Sequence, residues 1–151
     1  MPEKLRALVT FTAGAGMRQG EVLGLTVDRL DMLRRTVTVD RQLVTRPGKV
    51  TEFGPPKTKA SNRTIPLPQV VVDALAALVF RLDRQPITRQ AFGHVWRPAA
   101  RAAGLPAGTG MHSLRHYCAS LLIRYSESVK TVQARLGHAS ASETLDTYSH
   151  L

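Results

Sequence analysis

With 151 residues, the chain is long enough for one domain with a real core and too short for two ordinary ones. Hydrophobic residues at 43% and charged residues at 21% are ordinary for a globular protein, so composition gives no reason to expect disorder. Twenty-one Lys and Arg against eleven Asp and Glu leave a net charge of +10, while a single cysteine, Cys118, excludes an internal disulfide and a cysteine-rich zinc site.

The positive excess is uneven. Residues 34–63 carry eight cations against Asp40 and Glu52, and residues 81–101 carry five arginines against Asp83, whereas residues 1–33 are balanced. Two basic segments separated by neutral ground suggest a footprint for a polyanion such as nucleic acid; a solvated basic surface is the alternative. The longest apolar run, Val70 to Phe80, is broken by Asp73 and falls far short of a membrane span. The N-terminus lacks the apolar stretch of a signal peptide, so a reducing cytoplasm is expected.

In chain order, Leu5, Leu8 and Val9 recur at helical spacing before Gly14 and Gly16. A second short helix follows, with Val22 and Leu25 on one side and Arg18 and Glu21 on another. Taken alone, Arg18 reads as half of a surface ion pair with Glu21. Residues 36–44 are β-branched and alternating, Pro47-Gly48 predicts a turn, and Lys49-Val50-Thr51 resumes an extended pattern. Gly54-Pro55-Pro56 breaks it, residues 57–62 predict a polar turn, and residues 63–67 a last short strand. Lys57 and Lys59 are therefore expected at or beside a hairpin tip, in a small antiparallel sheet of about three strands.

Val70, Val71, Ala74, Leu75 and Leu78 predict a helix that runs into Val79-Phe80-Arg81-Leu82 with no loop signal before Gln85-Pro86. Thr88 can cap the next, whose stripe is Phe92, Val95, Trp96 and Ala99 and which stops at Gly104. A loop over residues 106–110 leads to a helix with Leu114, Cys118, Leu121 and Leu122 as apolar positions and Tyr125 further along. His112 and Arg115, three apart, should project together away from Leu114 and Cys118. Ser128 can cap a helix with Val129, Val132 and Leu136 buried and Gly137 as its stop. Ser140 to Glu143 has capping-box spacing and opens a last helix, with Leu145 and Tyr148 three apart.

Two chemistries suit the last forty residues. His112 and His116, at i and i+4, could share a zinc ion, but the glutamate of the hydrolytic helical motif is missing and no cysteine cluster exists. Phosphoryl transfer without a metal fits better. Arg18 and Arg115 have planar forks that match phosphate oxygens, and Tyr148 is a phenol able to form a covalent intermediate.

Five stretches then carry a specific resemblance. Gly16-Met17-Arg18-Gln19-Gly20-Glu21, Pro56-Lys57-Thr58-Lys59 with Arg63-Thr64-Ile65-Pro66-Leu67, His112-Ser113-Leu114-Arg115-His116, Leu136-Gly137-His138 and Thr147-Tyr148-Ser149-His150 occur in this order. They resemble the boxes of the tyrosine recombinase, or phage-type integrase, catalytic domain. The resemblance implies an α+β, mainly helical fold and DNA strand cleavage and religation through a 3′-phosphotyrosyl link, without metal or cofactor.

By the same resemblance, Arg18 and Arg115 would clamp the scissile phosphate and Tyr148 would attack it. Lys57 would protonate the leaving 5′-oxygen, with Lys59 the alternative, and His112 and His138 would accept a proton and donate a hydrogen bond to the phosphate. Arg34, Arg35, Arg41, Lys59, Arg63, Arg89 and Arg97 are the expected DNA contacts. Partners would be double-stranded DNA and other integrase protomers, with no membrane, in the cytoplasm and on the nucleoid when DNA-bound. Against the family pattern, residues 1–151 read as one incomplete catalytic domain lacking the core-binding domain, with a deletion between Leu78 and Phe80. The expectation is a prophage or mobile-element remnant with little or no activity alone; a non-catalytic DNA-binding or regulatory module is the alternative.

Overall fold

Helix α1 (Glu3–Ala15) turns Leu5, Phe11 and Ala15 inward, and this face forms the floor of the main core. The computed structural model describes residues 1–46, 51–79 and 88–148. The expected turn at Pro47-Gly48, the extended Lys49-Val50, the Leu78 side chain, the run Phe80-Arg81-Leu82, Gln85-Pro86 and Ser149-His150 lie outside the described residues. Helix α2 (Gln19–Leu23) follows, then strands β1 (Leu30–Asp31), β2 (Thr36–Val39), β3 (Gln42–Val44), β4 (Glu52–Gly54) and β5 (Arg63–Pro66). The helices α3 (Gln69–Val79), α4 (Arg89–Ala102), α5 (Met111–Arg124), α6 (Val129–Leu136) and α7 (Ala141–Tyr148) complete the described chain. The fold is mainly helical with a small antiparallel sheet, as the motifs imply.

The extended segment 36–44 is two strands, not one. β2 pairs with β1 and β5 in a three-stranded sheet, while β3 pairs with β4 in a separate hairpin, with Leu43 opposite Phe53. The break falls at residues 40 and 41, where Asp40 accepts from Arg29 Nε (2.7 Å) and Arg41 reaches Asp28 (3.1 Å) and the Phe53 ring (5.0 Å). Lys57 and Lys59 therefore occupy the connection from β4 to β5, strands that belong to different sheets, and not a hairpin tip.

Several apolar stripes are rotated from their expected positions. Among the described side chains of α3, Val71, Val72 and Leu75 are buried and Val70 is exposed; in α6 Val132 and Leu136 are buried and Val129 is exposed. Tyr125 is exposed, and in α7 the inward residues are Thr144 and Tyr148, four apart, with Leu145 outside. Val129 opens α6 and Tyr125 lies just past the end of α5, at the margin of what the neighbouring elements cover, whereas Val70 and Leu145 stand on flanks of their helices turned away from the buried residues.

Two clusters result. The main core joins α1, β2, β5, α3, α4 and Met111; the second contains Ala119, Val132, Leu136 and Tyr148. Helix α5 lies between them, so it is covered by α1 on one side and α6 on the other. Three expected caps form: Thr88 Oγ1 accepts from Ala91 N (3.2 Å), Ser128 Oγ from Thr131 N (3.1 Å) and Ser140 Oγ from Glu143 N (3.2 Å).

Candidate active site

Arg115 is buried, on the same side of α5 as Cys118 and Ala119. This corrects the expectation that it projects away from Cys118 beside His112, which is exposed. The burial is sustained by two carbonyls at helix ends: Arg115 Nη1 donates to Gly16 O and Nη2 to Leu136 O, both at 2.6 Å. Gly16 is the left-handed C-cap of α1 and Leu136 the last residue of α6, so both carbonyls lack an intrahelical donor and carry the negative end of a helix dipole. Burial, and then the nearby Arg18 charge, bring the Arg115 pKa down to about 10, which still leaves it cationic at neutral pH.

Arg18 takes the next carbonyl. Its Nη2 donates to Gly137 O (3.2 Å), and its Nη1 donates to Ser61 Oγ (2.9 Å) and Glu21 Oε1 (3.2 Å). Thus the two arginines grip consecutive carbonyls, Leu136 and Gly137, where α6 ends. The Arg18–Glu21 pair is not the surface bridge that the sequence read alone suggests. The Glu21 side chain is 1% exposed, and it also accepts from Arg18 N (2.9 Å) and from Arg63 Nη1 (3.2 Å) and Nη2 (2.9 Å). Burial alone would raise the Glu21 pKa, but the hydrogen bonds and charge of Arg63, helped by Arg18, more than reverse that and hold it below the ordinary value.

His138 follows the left-handed Gly137 and is buried, its Nδ1 2.8 Å from Thr144 Oγ1 on α7 and its Nε2 4.0 Å from Glu143. Its ring lies nearly parallel to that of Tyr148, with centroids 6.4 Å apart. Burial, and then the Arg115 charge, lower its pKa, so the imidazole is neutral at neutral pH. Tyr148 is buried in the second cluster, and its burial raises the phenol pKa.

One further ring joins this group that the sequence reading assigned no part in phosphoryl transfer. The His116 ring stands edge-on to both His112 (4.5 Å between centroids) and Tyr148 (5.5 Å), so it bridges the accessible imidazole and the phenol. Its place directly after Arg115 was the available signal, but i, i+4 spacing with His112 suggested only a metal pair. Among the described residues, no three His, Cys, Asp or Glu side chains are grouped so as to hold a metal ion. Partial desolvation at the edge of the site, and then the His116 and Arg115 charges, lower the His112 pKa.

A cleft of about 1260 Å³ opens beside these rings, lined by His112 and His116, by Gln19, by Thr45 and Thr51 of the β3–β4 hairpin, and by Arg89, Arg97 and Arg101 of α4. The three arginines recur along one face of α4, while Phe92 and Trp96 stack (5.8 Å) on the inner side. Trp96 Nε1 donates to Thr109 O (2.7 Å) and so fixes the loop that rims the cleft.

The remaining expected positions are dispersed. Lys57 and Lys59 are exposed, on the connection whose Thr58 and Ser61 hydroxyls hydrogen-bond each other (2.9 Å) beside Arg18. Arg34, Arg35 and Arg41 do not line the cleft: Arg34, 84% exposed, pairs with Asp31 (3.1 Å), Arg35 donates to Gln69 (3.3 Å), and Arg41 is engaged by Asp28. Arg63, expected as a DNA contact, has a side chain only 6% exposed and committed to protein partners, because strand β5 carries it beneath the end of α6.

A profile of the phage integrase family matches residues 1–151. The chain belongs to the phage integrase family. A tyrosine recombinase XerC-like protein of Caldanaerobacter subterraneus subsp. tengcongensis is 27% identical over 181 residues, covering 98% of this chain and 46% of the relative. Tyrosine recombinase XerD of Corynebacterium glutamicum is 30% identical over 152 residues, covering 97% and 48%. This integrase-family chain thus spans about half the length of the curated relatives it matches. Among solved structures, the Tn1549 transposon integrase in complex with circular intermediate DNA superposes with a TM-score of 0.86 at 24% identity, over 96% of this chain and 55% of that one. The catalytic domain of bacteriophage HP1 integrase gives 0.62 at 21%, over 95% and 73%. These likenesses establish the fold.

Proposed function

We propose that the chain carries the chemistry of a DNA breaking and rejoining enzyme. The observation that supports this best is the gathering of two guanidinium groups on consecutive carbonyls, Leu136 and Gly137, immediately before His138 and beside the Tyr148 ring. In this reading Arg18 and Arg115 stabilise the charge that builds on the nonbridging oxygens of a phosphodiester, and their fixed backbone acceptors mean that little reorganisation is needed. The Tyr148 hydroxyl attacks phosphorus, forming a phosphotyrosyl bond at the 3′ side while the bond to the 5′-oxygen breaks. The phenol proton passes to neutral His112, with His116 between them, and the Lys57 ammonium protonates the departing 5′-oxygen. The reverse attack by a 5′-hydroxyl restores the diester and frees the phenol, so the intermediate keeps the bond energy and no metal or nucleotide is consumed.

His138 serves as a phosphate donor in this scheme. The Thr144 hydroxyl can donate to Nδ1, which leaves the proton on Nε2, the nitrogen that also faces the Glu143 carboxylate. The α4 arginines Arg89 and Arg97 bind the duplex backbone through the cleft, and Lys59, Arg34, Arg35 and Arg41 are at most peripheral contacts. Contacts from one face give binding that weakens steeply with salt. Exchange between two duplexes needs an attacking 5′-hydroxyl from a second cleaved site, so further protomers are the natural partners. No helix among the described residues is long and apolar enough to cross a membrane.

The test uses a nicked duplex on which cleavage releases a short fragment and traps the covalent intermediate. A protein–DNA adduct that disappears in Tyr148→Phe is the expected result. Duplex binding without adduct across varied sites would instead favour a non-catalytic DNA-binding module.

A further inference from the structure

Arg63 lies outside the phosphate-binding pair, yet it makes four hydrogen bonds to three separate segments of the site. Its Nη1 and Nη2 donate to Glu21 (3.2 and 2.9 Å), Nη1 also donates to Ser61 O (2.7 Å), and Nε donates to Arg135 O (2.8 Å). Each of these partners is adjacent to, or is itself, a group that holds Arg18. Glu21 accepts from both Arg18 N and Arg18 Nη1, Ser61 accepts from Nη1 through its hydroxyl, and Arg135 stands two residues before Gly137, whose carbonyl accepts from Nη2.

The contact at Gly137 is close. A Cβ built there would sit 3.0 Å from Arg63 Nη1 and 3.1 Å from Arg63 Cδ, so the absence of a side chain lets the guanidinium lie against the backbone turn that leads into His138. A lysine could not reproduce this arrangement. It offers a point charge in place of a planar fork and cannot bridge a carboxylate on one side and two carbonyls on the other.

The geometry points to Arg63 as a positioning residue for Arg18: it ties the start of α2, the lysine-bearing connection and the end of α6 into one unit, and it does not itself contact DNA. This rests on the reading of Arg18 as a phosphate clamp. A misplacement of a reacting group by about 1 Å costs about 100-fold in rate, so Arg63→Lys is expected to slow covalent adduct formation on the nicked duplex by about that factor. Duplex affinity and the salt dependence of binding should stay close to the wild type, because Arg63 itself touches no phosphate and Arg18 keeps its charge at the site. A substrate with a neutral methylphosphonate at the scissile position removes the charge that Arg18 offsets. There the gap between Arg63→Lys and wild type should shrink, a result that general loosening of the fold would not produce.

Arginine Nε–H resonances of the wild-type and variant chains give a readout that needs no turnover. Arg63→Lys should move the Arg18 resonance, whereas Arg124→Lys, at the exposed end of α5, should leave it in place. Addition of duplex to the wild type should shift Arg18 and leave Arg63 unshifted, which keeps the inference testable even if the Arg63 variant does not fold. An unmoved Arg18 resonance in Arg63→Lys, a reduced salt slope in that variant, or a direct response of Arg63 to DNA would each overturn it. A wild type that forms no adduct would sink the cleavage reading and leave these resonance measurements to decide the role of Arg63.

Discussion

Replacing Glu21 by Gln isolates the charge at the centre of the arginine network with almost no change in shape. The carboxylate accepts four hydrogen bonds, two from Arg18 and two from Arg63, from a side chain that is 1% exposed. Glutamine retains one acceptor oxygen and turns an NH₂ group toward a guanidinium, so about two charge-assisted bonds are lost, each worth about 1.5–3 kcal/mol. The resulting cost of about 3–6 kcal/mol overlaps the about 3–5 kcal/mol seen when one partner of a buried ion pair is removed. Set against a typical domain stability of about 5–15 kcal/mol, that is a large share.

Urea denaturation of wild type and Glu21→Gln at neutral and acid pH measures it. The folded-state pKa of Glu21 is depressed, so its contribution is fully present above the unfolded value of 4.5 and is lost as pH falls through the folded value. The gap between the two proteins should therefore narrow below pH 4.5. A difference under about 1 kcal/mol at pH 7, the level of an exposed ion pair, would refute the reasoning, as would a gap that does not change with pH.

Gly24 ends α2 where a Cβ would come within 2.7 Å of Leu43 N and 2.9 Å of Gln42 C, both backbone atoms. Gly24→Ala should therefore cost about 1–3 kcal/mol by chemical denaturation and pull the β3–β4 hairpin away from the Arg18 segment. Gly137→Ala meets a left-handed φ of 66° as well as the Arg63 guanidinium, and should lose at least about 1–2 kcal/mol from backbone strain alone, read as a fall in melting temperature. The buried His138 has a lowered pKa, so the unfolded chain binds more protons below pH 6.5; stability should decline as pH falls below that value, with a smaller decline in His138→Gln. If neutral His112 accepts the phenol proton, the adduct rate should show an acid limb that begins below pH 6.5, and a stopped-time pH profile should lose it in His112→Gln.

The helix caps at Thr88, Ser128 and Ser140 and the stop at Gly137 were legible in the chain because each depends on residues within a few positions of one another. The motif order likewise pointed to the family and the mainly helical fold. Periodicity was less informative about burial. Val70, Val129 and Leu145 fit apolar stripes but lie outside, since a helix cannot bury a residue where no neighbour covers it. Residues 36–44 read as one strand because β-propensity does not show that Asp40 and Arg41 are drawn away by Arg29 and Asp28 at the break.

For the candidate site, local sequence determined which groups are present: two guanidiniums, the imidazoles, a lysine-bearing connection and a phenol. Which arginine faces what was decided only by the tertiary structure. Arg115 is buried because α1 and α6 end on either side of it with unpaired carbonyls, and Arg63 is withdrawn from the surface because Glu21, forty-two positions earlier, needs a second cation. A buried charge is stable only where distant segments supply its partners, and that pairing is a property of the folded chain as a whole.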